Sequence, residues 1–465
     1  MSTPPALLSD AALAEALRAI VGDPHVVTDP ALLAGRVVDW TGRWQGACAL
    51  AVAPGSSAEA AAVLAACAGR HLVVQGGNTG LVGGAVPDAG DVLFLTHRLT
   101  AMKPPDLLAH TVVVEAGATL AAVQAHLAPY GLELGVDIAA RDSATIGGMA
   151  ATNAGGQRVL RDGAMRRHVL SVEAYDVSGQ QLAALHDLIK DNTGYDLASL
   201  LVGSEGTLGV ITKLLLRVIP RLSVGAVVVV GLPDLDAVGA FVGNLRRRRD
   251  DLRAAELASA ASLGLVGETL ERPVPVSTPW AVLLQFAAKD LDLEMVASSV
   301  SEALAAAGVP DSPVLAAADP AGIRTLWNWR DRITEAIAER AVELGHPVVK
   351  LDVSLPAAAL TAFVVDVRER FEGDSAYETY LFGHVADGNV HVNVIGPHAY
   401  AVEDWVLRRV ARAGGSISAE HGIGRAKAPW FELARTPAER EAMRAVKRAL
   451  DPGGRLGRSL WTADR

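Results

Sequence analysis

Residues 73–87 read VVQGGNTGLVGGAVP, with Gly76, Gly77, Gly80, Gly83 and Gly84 directly after a short apolar run. Glycine permits positive φ and close approach of another molecule, so a glycine run after a strand can aim backbone N–H groups at an anion. Asn78 and Thr79 add side-chain donors. The loop has no lysine followed by Ser or Thr, as a Walker A loop requires, and its glycines do not follow G-x-G-x-x-G. A pyrophosphate held without either pattern points to a flavin dinucleotide rather than ATP or NAD. Taken alone, the loop reads equally as an ordinary turn.

Two more stretches share its texture, SATIGGMAATNAGG at 143–156 and GSEGTLGVIT at 203–212. Small residues throughout mean that main chain lines whatever lies there, which suits a flat ring system. Tight packing between layers explains any one of the three segments but strains to explain all of them.

Outward from the loop, Ser9 precedes AALAEALRAIVG, which stops at Gly22, the pattern of a capped helix. Ser56 and Glu59 stand at capping-box spacing before AAAVLAACAGR. VLFLTH, HTVVVEAG, ATLAAVQAHLAPYG and VEAYDVSG continue as mixed strands and helices to about Pro220. From Val224, VGAVVVVGL and WAVLLQFAA read as strands between the helical LDAVGAFVGNLRRRRDDL and LDLEMVASSVSEALAAAG, which predicts a separate α/β layer. A last portion from near Gly414 carries SISAEHGIG and ends in the charged helix PAEREAMRAVKRALD.

The chain has 465 residues, half of them apolar and a fifth charged, enough for more than one core. Its formal charge of −10 argues against an electrostatic nucleic-acid binder. The one basic run, Arg246 to Arg249, reads as a solvated helix face or, less simply, a patch for an acidic partner. Only Cys48 and Cys67 occur, which excludes a disulfide framework or cysteine-rich metal site and suits a reducing cytoplasm. The N-terminus lacks the basic-then-apolar order of a secretory signal, and no apolar run reaches the ~20 residues of a membrane span.

YLFGHVADGNVHVNVIG, at 380–396, carries the second chemical signal. Asp387-Gly388 between alternating apolar runs is a two-residue hairpin turn, which sets His384 opposite His391 with Cβ atoms about 5 Å apart. Two imidazoles so placed can share a metal; each one alone is as readily a solvated or locally hydrogen-bonded histidine. Glu420 offers a carboxylate after a strand-like run, and the adjoining His421 has an imidazole that titrates near neutrality. WNWRDRIT supplies Arg330 and Thr334, and VVKLDVSLP supplies Lys350, cations that can clasp a carboxylate or simply face solvent.

VVQGGNTGLVGGAVP, ATIGGMAATNAGG, IKDNTGYDLASLLVGSEGTLGVIT, HVADGNVHVNV and SISAEHGIG, in this order, resemble the signature segments of the vanillyl-alcohol-oxidase (PCMH) type FAD proteins. Within them the chain is similar to the branch of D-2-hydroxyglutarate dehydrogenase, D-lactate dehydrogenase and the glycolate oxidase flavoprotein subunit. The resemblance runs from about Asp39 to Lys427. It implies an α+β fold with a two-part FAD-binding domain, an α/β cap domain and a C-terminal return: 1–222 FAD-binding, 223–413 cap with the substrate site, and 414–465 returning to the flavin. It implies FAD contacts at Gly76, Gly77, Asn78, Thr79, Gly80 and Gly84, then along Ser143, Gly147, Gly148, Asn153, Gly155, Gly206 and Ile211. With no histidine or cysteine inside GGNTGLVGG, the expected FAD is noncovalent.

The resemblance also implies a divalent metal on His384, His391 and Glu420, with His421 as base and Arg330, Thr334, Lys350 and Asn393 on substrate oxygens. Zinc is the first choice for such a set, with manganese, cobalt or iron compatible. The expected reaction is oxidation of a D-2-hydroxy acid to the 2-oxo acid, with metal-assisted deprotonation of the hydroxyl and hydride transfer to flavin N5. Two cations exceed what one carboxylate needs, which favours a dicarboxylate such as D-2-hydroxyglutarate over D-lactate or glycolate. Reoxidation calls for an acceptor such as electron-transfer flavoprotein or a quinone-linked carrier; a homodimer is left open. Two departures stand out: Ala386 where the family has glycine in H-x-G-D-G-N, and DPGGRLGRSLW where it ends in N-P-G-K. Readings of other classes are a metal-dependent hydrolase using the same histidines, or a flavin-binding module without turnover.

Overall fold

The computed structural model describes residues 8–458. The expectation about the N-terminus rests partly on residues 1–7, and the end of DPGGRLGRSLW falls at 459–461; both lie outside the described residues. Contacts divide the chain into two compact units. The first comprises the chain up to Gly156, Gly163–Arg221 and the chain from Glu420 on; the second comprises Gln157–Asp162 and Leu222–Ala419. No helix among the described residues is long and apolar enough to cross a membrane.

In the first unit, β1 (Val26–Val27), β2 (Leu50–Val52), β3 (Leu72–Gln75) and β4 (Val92–Leu95) form a sheet of order β1-β2-β4-β3. β2, β4 and β3 are parallel and apolar except for Gln75 at the end of β3, so both faces are covered, as parallel sheets require. A second sheet is antiparallel, made of β5 (Thr111–Glu115), β7 (Val169–Tyr175), β8 (Gln181–Ala183) and β9 (Val210–Arg217) in the order β5-β9-β7-β8. The short β6 (Leu132–Glu133) and β10 (Ile219–Pro220) pair with each other. Ser9 caps the helix Asp10–Val21 as read from sequence. Ser56 caps Ser57–Ala66, but the Glu59 carboxylate accepts from Gly55 N–H at 2.7 Å, one residue short of a reciprocal box. The full box occurs instead at Thr436 and Glu439, opening Pro437–Leu450.

The C-terminal segment returns to this unit. Leu456 bridges Leu72 in parallel along the free edge of β3, and Leu72 N–H donates to Arg455 O at 2.8 Å. The Lys447 ammonium is buried and donates to Thr207 O, Asp451 and Leu456 O. An ammonium taken out of water needs three such acceptors.

The second unit is built on one seven-stranded antiparallel sheet. Its strands are β11 (Val224–Leu232), β12 (Leu252–Ser259), β13 (Trp280–Ala287), β14 (Val314–Ala317), β15 (Val348–Ser354), β16 (Glu378–His384) and β17 (Asn389–Ile395). They lie in the order β14-β11-β13-β12-β16-β17-β15. The strand-helix texture after Val224 is the split β-α-β arrangement of β11 to β14, with Leu235–Arg246 and Leu293–Ala306 as its helices. One sheet face packs Val227, Val229, Ala258, Leu283 and Phe382 against Leu263, Val266, Trp329 and Ile337 of three helices. Toward β15 that face turns polar. In the basic run Arg246, Arg247 and Arg248 are exposed, as expected of a solvated face, with Arg246 donating to Ala386 O at 2.8 Å, whereas Arg249 is buried against Asp251.

Candidate active site

The three glycine-rich segments meet in the first unit, and they meet through main chain. A Cβ on Gly77 would stand 1.9 Å from Ser143 O, and one on Gly76 would stand 2.2 Å from Thr145 Oγ1. No other residue permits that approach, so the loop at 76–84 lies directly on the segment at 143–156. That segment takes the third by two hydrogen bonds, Gly203 N–H to Ala150 O (2.9 Å) and Glu205 N–H to Ala151 O (2.8 Å). Asn78 and Asn153 both hold left-handed backbone, at φ 54° and 51°, a conformation in which asparagine is enriched. Their side chains brace it: Asn78 donates to Val38 O at 2.8 Å, and Asn153 Oδ1 accepts from Arg166 N–H at 2.8 Å. Gly147 packs on Ala116, Ile211 is buried in β9, and Thr79, Gly84, Gly148 and Gly206 are half-buried while Gly80 and Ser143 are exposed.

The turn carrying His421 is anchored in the same unit. Val82 O accepts from Arg425 N–H (2.9 Å) and Ala426 N–H (3.1 Å), and Gly424 could carry no Cβ because Val82 O would be 2.3 Å from it. Glu205, itself at φ 54°, accepts from Ile423 N–H (2.9 Å) and Gly424 N–H (2.7 Å). Glu420 Oε1 accepts from the N–H of Gly156 at 3.0 Å. Sequence reading passed over Glu205; an acid between two glycines, in Gly203-Ser204-Glu205-Gly206, is its only trace.

In the second unit the histidines meet, but not by the expected register. Phe382, not His384, stands opposite His391. Val385–Asp387 forms a 3-10 turn closed by Gly388 at φ 75°, a longer loop than the two-residue turn read from Asp387-Gly388. The slip is two residues, so every side chain keeps its face. The His384 and His391 rings lie 5.4 Å apart between centroids, nearly perpendicular. Beyond Phe382, β16 parts from β17 and its end pairs with β12, which puts His384 opposite Glu256. Ala386 sits in the turn without left-handed backbone, so alanine is accommodated there without strain.

Glu256 is fully buried and joins two of the candidate residues. Its Oε1 lies 2.6 Å from His384 Nδ1, and its Oε2 accepts from Arg330 Nε at 2.6 Å. Burial pushes this carboxyl up, but the neighbouring His384 and Arg330 and the hydrogen bonds they make to it outweigh that and hold the pKa at about 2. The Arg330 guanidinium also stacks over Phe382, 4.9 Å from the ring centre. His391 has a partner of the same kind, Asp352 on β15, at 3.8 Å from Nδ1. Asp352 is 2 % exposed and accepts from Asn389 Nδ2 at 2.7 Å. Glu256 and Asp352 were both missed, although a lone acid in LRAAELAS and in VVKLDVS is a polar residue in an otherwise buried strand.

The next row of the same face holds Lys350, Asn393 and Tyr380, side by side on β15, β17 and β16. Asn393 is buried, with Nδ2 donating to Tyr380 O and His391 O. Lys350 is exposed overall, yet desolvation by the surrounding protein lowers its pKa. Thr334 is exposed at the start of the helix Ile333–Leu344.

Two known families match the chain. Residues 48–184 match the FAD binding domain family, and residues 221–459 match the C-terminal domain of FAD linked oxidases. The chain is 35% identical over 465 residues to the mitochondrial D-2-hydroxyglutarate dehydrogenase of Bos taurus, covering 97% of this chain and 84% of that protein. It is 35% identical over 445 residues to the D-2-hydroxyglutarate dehydrogenase of Xanthomonas citri pv. viticola, covering 91% of each. A Schizosaccharomyces pombe relative that bears a D-lactate dehydrogenase name is 34% identical over 448 residues, 92% of this chain and 84% of that one. Among solved structures, p-cresol methylhydroxylase superposes with a TM-score of 0.73 at 14% identity, over 97% of this chain and 96% of that one. The 4-ethylphenol oxidase of Gulosibacter chungangensis gives 0.70 at 16%, over 98% of each, so these two share the fold. With a glycine-lined cradle in one unit, a histidine–carboxylate cluster in the other, and relatives matching nearly end to end, the chain belongs to the FAD linked oxidases and is an FAD-dependent oxidoreductase.

Proposed function

We propose that this enzyme oxidises a D-2-hydroxy acid, D-2-hydroxyglutarate by preference, to the 2-oxo acid. The observation that carries the reading is the polar row on one sheet face, where two histidines backed by carboxylates stand beside Arg330, Lys350 and Asn393. The nearly full-length likeness to proteins named for that activity supports it.

FAD, when bound, supplies the hydride acceptor, and a divalent metal, zinc by first choice, supplies Lewis acidity. The cradle fits the flavin because its glycines and left-handed asparagines leave main chain, not side chains, along its length. The donor set fits a metal because each histidine turns Nδ1 to a carboxylate, leaving Nε2 as the nitrogen turned away from it. Glu420 completes the set in this reading. It follows directly on Ala419, whose N–H donates to Asp352 O, and Asp352 is the residue opposite His391. His421 takes the hydroxyl proton, held by a turn that Glu205 and Val82 anchor. Arg330 clasps one carboxylate, with Thr334 and Asn393 on the remaining oxygens, and Lys350 receives the second carboxylate. Arg330 and Lys350 would orient the substrate, and the anchored turn keeps the base in place.

The electron acceptor in this proposal is electron-transfer flavoprotein or a quinone-linked carrier. The compartment is the cytoplasm, in keeping with two unpaired cysteines. Anaerobic flavin bleaching tests the reading directly. D-2-hydroxyglutarate should bleach the bound flavin with a higher specificity constant than D-lactate, glycolate or D-malate. D-lactate is the second reading, favoured by the Schizosaccharomyces pombe relative, and an equal or higher constant for it would replace the first.

A further inference from the structure

Glu256 belongs to no glycine loop and no histidine motif, yet it is fully buried and touches both sides of the polar row. A carboxylate accepts hydrogen bonds and donates none, so the His384 nitrogen facing it must carry the proton. A neutral imidazole has one N–H, and with Nδ1 protonated its lone pair resides on Nε2. The other Glu256 oxygen holds Arg330 by Nε, the guanidinium nitrogen nearest the stem, and Phe382 fixes the plane by stacking. One side chain therefore sets the tautomer of an imidazole and the plane of a guanidinium.

We propose that Glu256 is a positioning residue that presents His384 Nε2 to the metal and ties that imidazole to the carboxylate-binding Arg330 through a single shared anchor. Asp352 faces His391 Nδ1 at 3.8 Å, longer than a hydrogen bond, so the tautomer argument applies to His384. The proposal rests on the reading of His384 as a metal ligand and deepens it. The anchor has a consequence for substrate choice: metal-side and carboxylate-side groups cannot shift independently. A substrate whose α-carboxylate engages Arg330 meets its metal position at a fixed spacing.

Glu256→Gln separates this role from mere packing, because it has the same shape. Its amide oxygen can still accept from Arg330 Nε, but its NH2 then faces His384 Nδ1 and demands a lone pair there. The proton moves to Nε2, the wrong nitrogen for a metal. In the full-length, FAD-loaded protein stripped of metal, the 15N signals of His384 should change from the Nδ1–H form to the Nε2–H form. Zinc affinity, measured by competition with a fluorescent chelator, should fall about 10–100-fold, while FAD content stays. Glu256→Asp, which keeps a carboxylate, should keep the Nδ1–H form. Native tautomer and native zinc affinity in Glu256→Gln would overturn the proposal, as would the Nε2–H form in Glu256→Asp. If His384→Ala itself retains zinc with native affinity, the ligand assignment is what fails, and Glu256 loses its role with it.

Discussion

The candidate sites of the two units are built by opposite means. In the first, the cradle is made by leaving side chains out: Gly77 and Gly424 lie so close to neighbouring main chain, and Gly76 so close to the Thr145 hydroxyl, that a single methyl would collide. In the second, the site is made by putting charge in: Glu256, Arg330 and His384 are buried and hydrogen-bonded together, and Asp352 is buried against Asn389. A backbone cradle binds what is common to all substrates of a flavoprotein family, the cofactor. A side-chain cluster can be altered one residue at a time, and that is where the choice of hydroxy acid belongs. The two designs should therefore fail differently when touched.

The largest expected effect is in the cradle. Gly77→Ala would place Cβ 1.9 Å from a backbone oxygen that cannot swing away, so the loop at 76–84 must move. The purified variant should be colourless or insoluble, whereas His391→Ala should remain yellow. A Gly77→Ala protein with full FAD content would mean that the segments do not meet as described.

Within the second design, His384→Ala and His391→Ala should each lose metal and nearly all flavin reduction while keeping FAD, read by metal analysis and stopped-flow bleaching. His421→Ala sharpens the contrast. It should keep both FAD and metal yet slow the reductive step by roughly 10²–10⁴-fold, the usual worth of a general base. Metal loss in His421→Ala as complete as in His391→Ala would move His421 among the ligands.

Acid should tell the units apart as well. Glu256 is held at about 2, well below the ~4.3 of a free glutamate, so it contributes stability that is present above that ordinary value and lost as pH falls toward 2. The stability gap between the parent and Glu256→Gln, taken from urea midpoints, should shrink from pH 6 to pH 3. A constant gap would mean that the buried carboxylate is not the group being protonated. The smallest effect reverses the sign of the first. Gly239 lies exposed inside the helix Leu235–Arg246 with nothing within 4 Å of its Cβ position, so Gly239→Ala should stabilise by about 0.5–1 kcal/mol. A lower melting temperature would count against that helix.

What could be read from sequence follows the same division. Glycine is conspicuous in a string of letters, and the three glycine-rich segments that meet in the fold were all legible in it. The histidines of HVADGNVHVNV were legible by face but not by register, because parity survives a two-residue slip whereas the partner does not. Glu256 and Asp352 were not read, since their meaning depends on which strand lies alongside. β12 is far from β16 in sequence, and the pairing of Glu256 with His384 exists only once the sheet has formed. The basic run was legible for Arg246, Arg247 and Arg248, which are exposed, but not for Arg249, because a charge count cannot foresee that it folds back on Asp251.

The return of the C-terminus to β3 has a consequence for synthesis on the ribosome. Arg455 donates to Arg70 O, 385 residues earlier, and Leu456 occupies the edge of β3. At 5–20 residues per second, that edge waits roughly 20–80 s for its last neighbour, while the entire second unit is being made. An unpaired edge of apolar residues is a template for the wrong strand. The nascent first unit is thus the part of this protein that most needs a chaperone, although once complete it is the part with no free edge at β3. Slower translation would lengthen that exposure in direct proportion.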